Sequence, residues 1–456
     1  MKAAFRTLGC KVNRYETEAL MQRFAGLGFD ICEEDERADV YVINTCTVTN
    51  LADRKSRQFI RRARKLNADA VVCVTGCYAQ INPDEAASIE GVDLVVGTDE
   101  KHMIPELVMG LLEKRESSGA KIVMKERDDL REYEELSIRG GMTGRTRAFI
   151  KIEDGCDHYC TYCIIPYARG HIRSRTPESI AEEVRDLVEH GCKEIVLTGI
   201  NTAFYGRDLG LPGVEPLIAE LNSIPGDFRI RLSSLEPTVI GAKDILGLLG
   251  YEKLCHHLHL ALQSGSDKVL SEMRRGYTSA EYLDIVQAVR EADPLYGFST
   301  DIIVGFPGET DADFDGSCSV TQAAGFGKVH VFKYSRRQGT PAAERSDQVP
   351  GDIKNERSAK LIGLASDTAA GFFQRNIGSE QVVLVERSVT DPVTGESQGI
   401  EGEPDFVKDA ESGFVCGYTG NYIKTYIEGG EELYNKFVRV RMTGPYRDGM
   451  KAEIIY

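Results

Sequence analysis

Hydrophobic and polar positions along the chain fall into three successive patterns. Over residues 1–112, short apolar runs alternate with segments whose apolar residues recur every three to four positions. The runs AFRTLG, DVYVINT, DAVVCVTG and VDLVVG read as strands, and the stretches from about Arg14 to Leu27 and from Arg54 to Lys65 read as helices. That alternation predicts a parallel α/β sheet. Residues 113–146 are charged and Gly-containing and are expected to link domains. Over 147–375 the alternation restarts with six strand runs, AFIKIE, EIVLTG, FRIRLSS, HLHLAL, STDIIVGF and KVHVFKY. Six β/α units predict a partial (β/α)6 barrel rather than a closed barrel of eight. Over 376–456, QVVLVER, SGFVCGYT, NYIKTYIE, FVRVRMT and AEIIY are short runs separated by turn residues, which predicts a small antiparallel β-barrel.

Composition leaves that picture in place and narrows the chemistry. The 456 residues are 42% hydrophobic and 28% charged, as in an ordinary globular protein of several domains. No apolar run approaches the roughly 20 residues of a membrane-spanning helix, so no membrane partner is expected. The start of the chain lacks the pattern of a signal peptide. Twelve cysteines without one point to a reducing compartment, where thiols bind metals or do chemistry, and a cytoplasmic protein is expected. A net charge of −16 speaks against a nucleic-acid partner, yet RKSRQFIRRARK carries seven basic residues in twelve and no acid. That helix is either a solvated face or a phosphate-contacting stripe.

The cysteines sort by position. In CDHYCTYC, Cys156, Cys160 and Cys163 follow the first barrel strand, at the end where β/α barrels build active sites. Thiolates are soft ligands suited to iron–sulfur clusters or zinc. A structural zinc wants a fourth protein ligand, for which His158 is the nearby candidate. Three ligands to a four-iron cluster instead leave one iron open for a substrate. Cys10, Cys46 and Cys77, 31 to 36 residues apart, each stand at or just past the C-terminal end of a predicted strand. Those ends line one edge of an open parallel sheet, so the three thiols are expected to converge. The alternative is three separate buried thiols packing as small hydrophobes. Cys73 lies inside its strand, Cys192 and Cys255 precede barrel strands, Cys318 sits in a helical pattern, and Cys32 and Cys416 lack partners at ligand spacing; all six are read as structural.

The segment CDHYCTYCIIPYARG resembles the radical S-adenosylmethionine (radical SAM) enzymes, and LTGINTAFYG, RLSSLEP, LQSGS and IIVGFPGE stand at the following strand ends. The resemblance implies a four-iron cluster on Cys156, Cys160 and Cys163. Its open iron would chelate the methionine moiety, and its electron would cleave the sulfonium to a 5′-deoxyadenosyl radical. It further implies cofactor contacts from Thr198, Gly199, Asn201, Ser234, Glu236, Gln263, Ser264, Gly305 and Pro307. With the cysteine-bearing sheet before it and the small barrel after it, the whole chain resembles the methylthiotransferase family. CIIPYARGHIRSR and FKYSRRQGTPA also resemble its motifs. In that family an N-terminal triad, here Cys10, Cys46 and Cys77, holds a second four-iron cluster that delivers sulfur. The C-terminal barrel is a TRAM domain associated with RNA binding.

Among subfamilies, LGCKVNRYE most resembles the one acting on N6-threonylcarbamoyladenosine at position 37 of tRNA, beside the anticodon. The implied reaction uses two S-adenosylmethionine molecules. One methylates sulfur at the auxiliary cluster; the other supplies the radical that removes hydrogen from carbon 2 of the adenine. Isopentenyladenosine in tRNA and a ribosomal-protein side chain are alternative substrates, and a zinc-stabilised, non-catalytic RNA-binding protein is the alternative of another class. Residues 376–456 hold 8 Lys and Arg against 14 Asp and Glu, which weakens the case for RNA contact there. Contact with the anticodon stem-loop is expected instead from Arg57, Arg61, Arg64, Arg169, Arg173 and Arg175. A flavodoxin- or ferredoxin-like electron donor, a sulfur source and a monomeric chain complete the expectation.

Overall fold

The apolar runs at the start of the chain become strands β1 (Lys2–Thr7), β2 (Asp30–Cys32), β3 (Val40–Thr45), β4 (Val71–Gly76), β5 (Leu94–Val96) and β6 (Lys121–Val123). The computed structural model describes residues 1–47, 50–114, 119–140, 146–386 and 413–456. In it the six strands form one parallel sheet in the order β2-β1-β3-β4-β5-β6. Apolar clusters cover both faces, one around Phe5, Phe24 and Val42, the other around Tyr41, Ile43 and Ile60. That is why β3 and β4 are buried at every position instead of alternating. The strand order reverses between β1 and β3, where doubly wound sheets open a crevice at their carboxyl ends. The segment 113–146, expected to be a linker, does more: it donates β6 to the sheet edge, and its Leu130, Leu136 and Ile138 are buried. Its charged flanks hid a three-residue strand.

The six predicted barrel strands are Arg147–Lys151, Glu194–Thr198, Arg229–Leu232, His257–Leu260, Gly297–Val304 and Lys328–Lys333. They pair in parallel in two groups, joined through the short strand Ser234–Leu235 and an Ile230–Leu254 bridge. Among the described residues the first and last strands do not pair, so the barrel is partial. Helix α1 (Lys11–Gly26), on the N-terminal sheet, leans against the first barrel strand. Lys11 Nζ and Arg14 Cζ stand 5.9 and 5.8 Å from the centre of the Phe149 ring.

Five C-terminal strands, Glu380–Val385, Phe414–Thr419, Lys424–Glu428, Phe437–Tyr446 and Gly449–Ile454, close into a small barrel. Four neighbouring pairs are antiparallel and one, Lys424–Glu428 with Gly449–Ile454, is parallel. An odd number of strands cannot close with every pair antiparallel, so the wholly antiparallel expectation fails on parity. This barrel plugs the base of the larger one. Arg229 and Arg231 donate to the carbonyls of Tyr418 and Thr419, Asn421 donates to Leu295 O, and Arg147 pairs with Glu386. Among the described residues no helix is long and apolar enough to cross a membrane.

Candidate active site

The first cysteine group assembles at the β1/β3 crevice. Gly9 has φ +100°, and a Cβ there would lie 2.6 Å from both Cβ and Sγ of Cys46, so only glycine lets the Cys46 side chain rest beside the Cys10 loop. Cys77 opens the helix after β4, and its Sγ accepts from Arg169 Nε at 3.3 Å. The same guanidinium donates to Asn13 Oδ1 at 2.6 Å, and Asn13 Oδ1 is 3.8 Å from Cys10 Sγ. Burial pushes the Cys10 thiol up, and the Arg169 charge pulls it back. The convergence expected from strand ends is therefore present, and Arg169 ties it together. Cys73 is fully buried inside β4.

The second group lies on the loop after the first barrel strand. Gly155 has φ +84°, and any Cβ would fall 1.9 Å from His171 O. Past it the loop is pinned from below. Thr161 N and Oγ1 donate to the carbonyls of Met273 and Glu272, and Ala342 N donates to Thr161 O. Cys160 accepts from Arg275 Nη1 at 3.4 Å; Arg275 also pairs with Glu236 at 3.0 Å, and Glu236 accepts from Asn201 Nδ2 at 2.7 Å. Burial raises all three thiols, Cys163 up to about 12 with a further push from Cys160. On Cys160 the Arg275 charge opposes that rise.

The cofactor-binding residues expected from the resemblance divide by placement. Asn201 and Glu236 meet each other beside Cys160, as just described. Thr198 and Ser234 offer backbone carbonyls to Ile152 N and Thr202 Oγ1. Gly199 lies against Glu153, and Gln263 is half-buried with its backbone tied to Asp301 and Ile303. Ser264 is turned away: its fully buried hydroxyl faces Ser317 at 3.4 Å. Gly305 and Pro307 shape a turn braced by the ion pairs Arg357–Glu309 and Arg345–Asp347.

Arg275 and Glu153 were not expected. Glu153, fully buried, accepts from Asn201 N at 2.8 Å, and burial pushes its carboxyl up to about 8. The folded form thus favours the protonated acid. Its stabilising contribution is fully present below the unfolded value of about 4.5 and is lost as pH rises through about 8. Replacing Glu153 by Gln should flatten a decline in thermal unfolding temperature between pH 5 and pH 8. An unchanged decline would show that this carboxyl is not its source.

Between the two cysteine groups runs a buried ionic network. Arg169 Nη1 is 2.9 Å from both Glu16 and Asp154, Lys151 reaches the same two carboxylates at 3.3 and 3.2 Å, and Lys101 reaches Glu16 at 3.3 Å. Burial works against ionising Glu16, but Arg169, Lys101 and Lys151 hold its carboxyl below the usual range. The expectation that Arg169, Arg173 and Arg175 contact RNA is corrected here. They are 0%, 1% and 1% exposed. Arg173 faces Asp99 and Asp154 and bonds the Arg169 carbonyl, while Arg175 is held by Glu183 and Glu135.

The basic helix Asn50–Leu66 is mixed. Arg64 is structural: it grips Asp93 at 2.7 Å and three backbone carbonyls. Arg57 pairs with Glu85 at the surface. Arg61, Arg62 and Lys65 are exposed and line a shallow depression of about 430 Å³ with Arg57 and Gln58. Neutralising Arg61 and Lys65 together should flatten the salt dependence of RNA affinity by about two units of log–log slope. An unchanged slope returns the helix to a solvated face.

The donor sets fit iron–sulfur clusters better than structural zinc. His158, the candidate fourth ligand, is already engaged at both ring nitrogens, by Arg274 O at 2.7 Å and by Glu236 at 3.2 Å. Three soft thiols with a position left open remain. Two buried polar atoms near these strand ends, Glu153 Oε1 and Ser233 Oγ, have no hydrogen-bond partner in the protein, as expected where a polar cofactor completes the contacts.

Two family models match parts of the chain. The family described as Uncharacterized protein family UPF0004 matches residues 2–97, and the Radical SAM superfamily matches 150–319. The threonylcarbamoyladenosine tRNA methylthiotransferase MtaB of Bacillus subtilis is 42% identical over 99% of this chain and 96% of its own length. The protein of the same name from Thermotoga maritima is 40% identical over 83% of this chain and 85% of its own. A tRNA-2-methylthio-N(6)-dimethylallyladenosine synthase of Pelotomaculum thermopropionicum is 34% identical over 96% and 94%. Among solved structures, the radical S-adenosylmethionine methyltransferase TsrM of Kitasatospora setae shares the fold, with a TM-score of 0.55 at 17% identity over 75% of this chain and 77% of its own. Relatives so similar along nearly their whole length place this chain in the radical SAM methylthiotransferase family.

Proposed function

We propose that this protein transfers a methylthio group to carbon 2 of N6-threonylcarbamoyladenosine at position 37 of tRNA. One observation carries the reading. Two cysteine triads stand at the strand ends of adjoining sheets, and Arg169, six residues past Cys163, touches Cys77 of the other triad. When bound, a four-iron cluster on Cys156, Cys160 and Cys163 supplies the electron that cleaves S-adenosylmethionine, and one on Cys10, Cys46 and Cys77 supplies sulfur.

The chain's own residues prepare both places. Arg275 and Arg169 offset the negative charge of the Cys160 and Cys77 thiolates in sites too buried for water to do so. Asn201 and Glu236 set an amide and a carboxylate beside Cys160 for the polar groups of the cofactor. Glu153 holds the backbone of that loop in place. Helix α1 covers one flank of the partial barrel and the C-terminal barrel plugs its base, so the interior opens toward the cysteines. The adenosine is splayed from the anticodon loop to enter there, as sequence-specific RNA recognition generally requires. Exposed Arg61, Arg62 and Lys65 are the phosphate contacts this reading favours. A flavodoxin- or ferredoxin-like electron donor, a separate sulfur source, a monomeric state and a cytoplasmic setting belong to the same proposal.

Anaerobically reconstituted protein should hold about eight irons per chain, and the Cys10, Cys46 and Cys77 triple alanine variant about four. Iron unchanged by the triple substitution would remove the second cluster from the account.

A further inference from the structure

Half-way up the interior of the partial barrel lies a polar cluster that the cysteine sites do not use. His259, Asp301 and His330 come from three consecutive strands, and one ligating atom of each lies within 4.8 Å of the others. Along Gly297–Val304, Asp301 and Ile303 are half-buried while Ile302 and Val304 are in the outer core, so the half-buried positions face the interior. His259 and Asp301 keep 15% and 27% of their side-chain surface exposed, so the space between them is not filled by protein.

The cluster is oriented but incomplete. Ser299 Oγ is 3.0 Å from His259 Nδ1 and fixes the ring. His259 Nε2 lies 3.2 Å from Asp301 Oδ2 yet forms no aligned hydrogen bond. Below, His257 bonds the same Ser299 and stacks on Tyr422 of the C-terminal barrel at 4.6 Å, which closes the floor. From the side, Lys11 of α1 reaches over Phe149 and lies within electrostatic reach of Asp301 and His330.

We infer that Lys11, His259, Asp301 and His330 form the subsite for the polar tail on N6 of the substrate base, an assignment that rests on the substrate proposed above. The tail carries a carboxylate, a hydroxyl and urea N–H groups. Lys11 supplies the countercharge for the carboxylate, the two imidazoles donate to it or to the hydroxyl, and Asp301 accepts from the hydroxyl or the urea. An apolar isopentenyl tail can neither donate to Asp301 nor accept from the imidazoles, and would displace water from these polar groups without replacing its hydrogen bonds, which is how a hydrogen-bonding site rejects an analogue. Lys11 immediately follows Cys10 in the sequence, so one member of the subsite belongs to the same stretch of chain as the N-terminal triad.

The test is equilibrium binding to anaerobically reconstituted holoenzyme without reductant, so that no turnover occurs. Three labelled anticodon stem-loops are compared: one bearing threonylcarbamoyladenosine, one with its carboxylate converted to the amide, and one with plain adenosine. Wild type should prefer the acid over the amide by roughly tenfold to a hundredfold. Lys11→Gln should weaken binding of the acid by a larger factor than binding of the amide, and so narrow the preference. His330→Gln should also erode the preference, and it carries the test should Lys11→Gln lose iron. Equal binding of acid and amide by wild type, or equal losses on both in the variants, overturns the subsite. A stoichiometric non-iron metal lost in His330→Gln with iron retained also overturns it, by giving the cluster to a cation. Wild type that binds neither modified loop more tightly than plain adenosine marks failure of the substrate reading itself, and the subsite falls with it.

Discussion

Cys160→Ala is expected to reduce release of 5′-deoxyadenosine to background, whereas Cys46→Ala should still release it and yet form no methylthio product. Cys160 is one of the three thiols proposed to hold the cluster, and its loss also takes from Arg275 the sulfur it donates to. Cys46 rests beside Gly9 at the other triad, to which the proposal assigns sulfur supply rather than cofactor cleavage. A graded effect should accompany these. Arg275→Ala keeps all the thiols but deprives Cys160 of its charged neighbour, which should lower cleavage roughly ten- to a hundredfold, as for other groups that orient metal ligands. Product formed by Cys46→Ala at the wild-type rate would contradict the division of roles.

Arg169→Ala is expected to be the most damaging substitution outside the cysteines. Arg169 is fully buried, and its removal leaves Glu16 and Asp154 with fewer cations and Cys77 without its donor. Breaking a buried ionic group from one side typically costs about 3–5 kcal/mol. The network joins the N-terminal sheet to the barrel, so its loss should lower the unfolding temperature and release iron from the N-terminal triad first. Arg169→Lys should rescue poorly, because an ammonium cannot reach Glu16, Asp154, Asn13 and Cys77 with one planar fork. An Arg169→Ala variant with normal stability and full iron would show that the network is dispensable.

The architecture was legible because it is periodic. Alternating strands and helices gave both sheets, and cysteines at strand ends identified themselves by where the apolar runs stopped. What stayed hidden depends on partners far apart in sequence. Arg169 looked like an RNA contact because its neighbourhood, ARGHIRSR, is basic, but its partner Glu16 lies 153 residues away. Arg64 looked like its neighbours on the basic helix until Asp93 proved to hold it. Arg275 carried no local signal, since its link to Cys160 spans 115 residues. Local charge density states how many charges a segment has and not which face the fold buries. The strand β6 escaped for a different reason: three residues are too few to show a period.

The most direct measurement is mass spectrometry of nucleosides after anaerobic turnover with S-adenosylmethionine and reductant on three anticodon stem-loops. One carries threonylcarbamoyladenosine, one isopentenyladenosine and one unmodified adenosine at the same position. The methylthio derivative of threonylcarbamoyladenosine is expected, with the isopentenylated and plain loops disfavoured by a factor on the order of 10⁴. Comparable methylthiolation of the isopentenylated loop would contradict it.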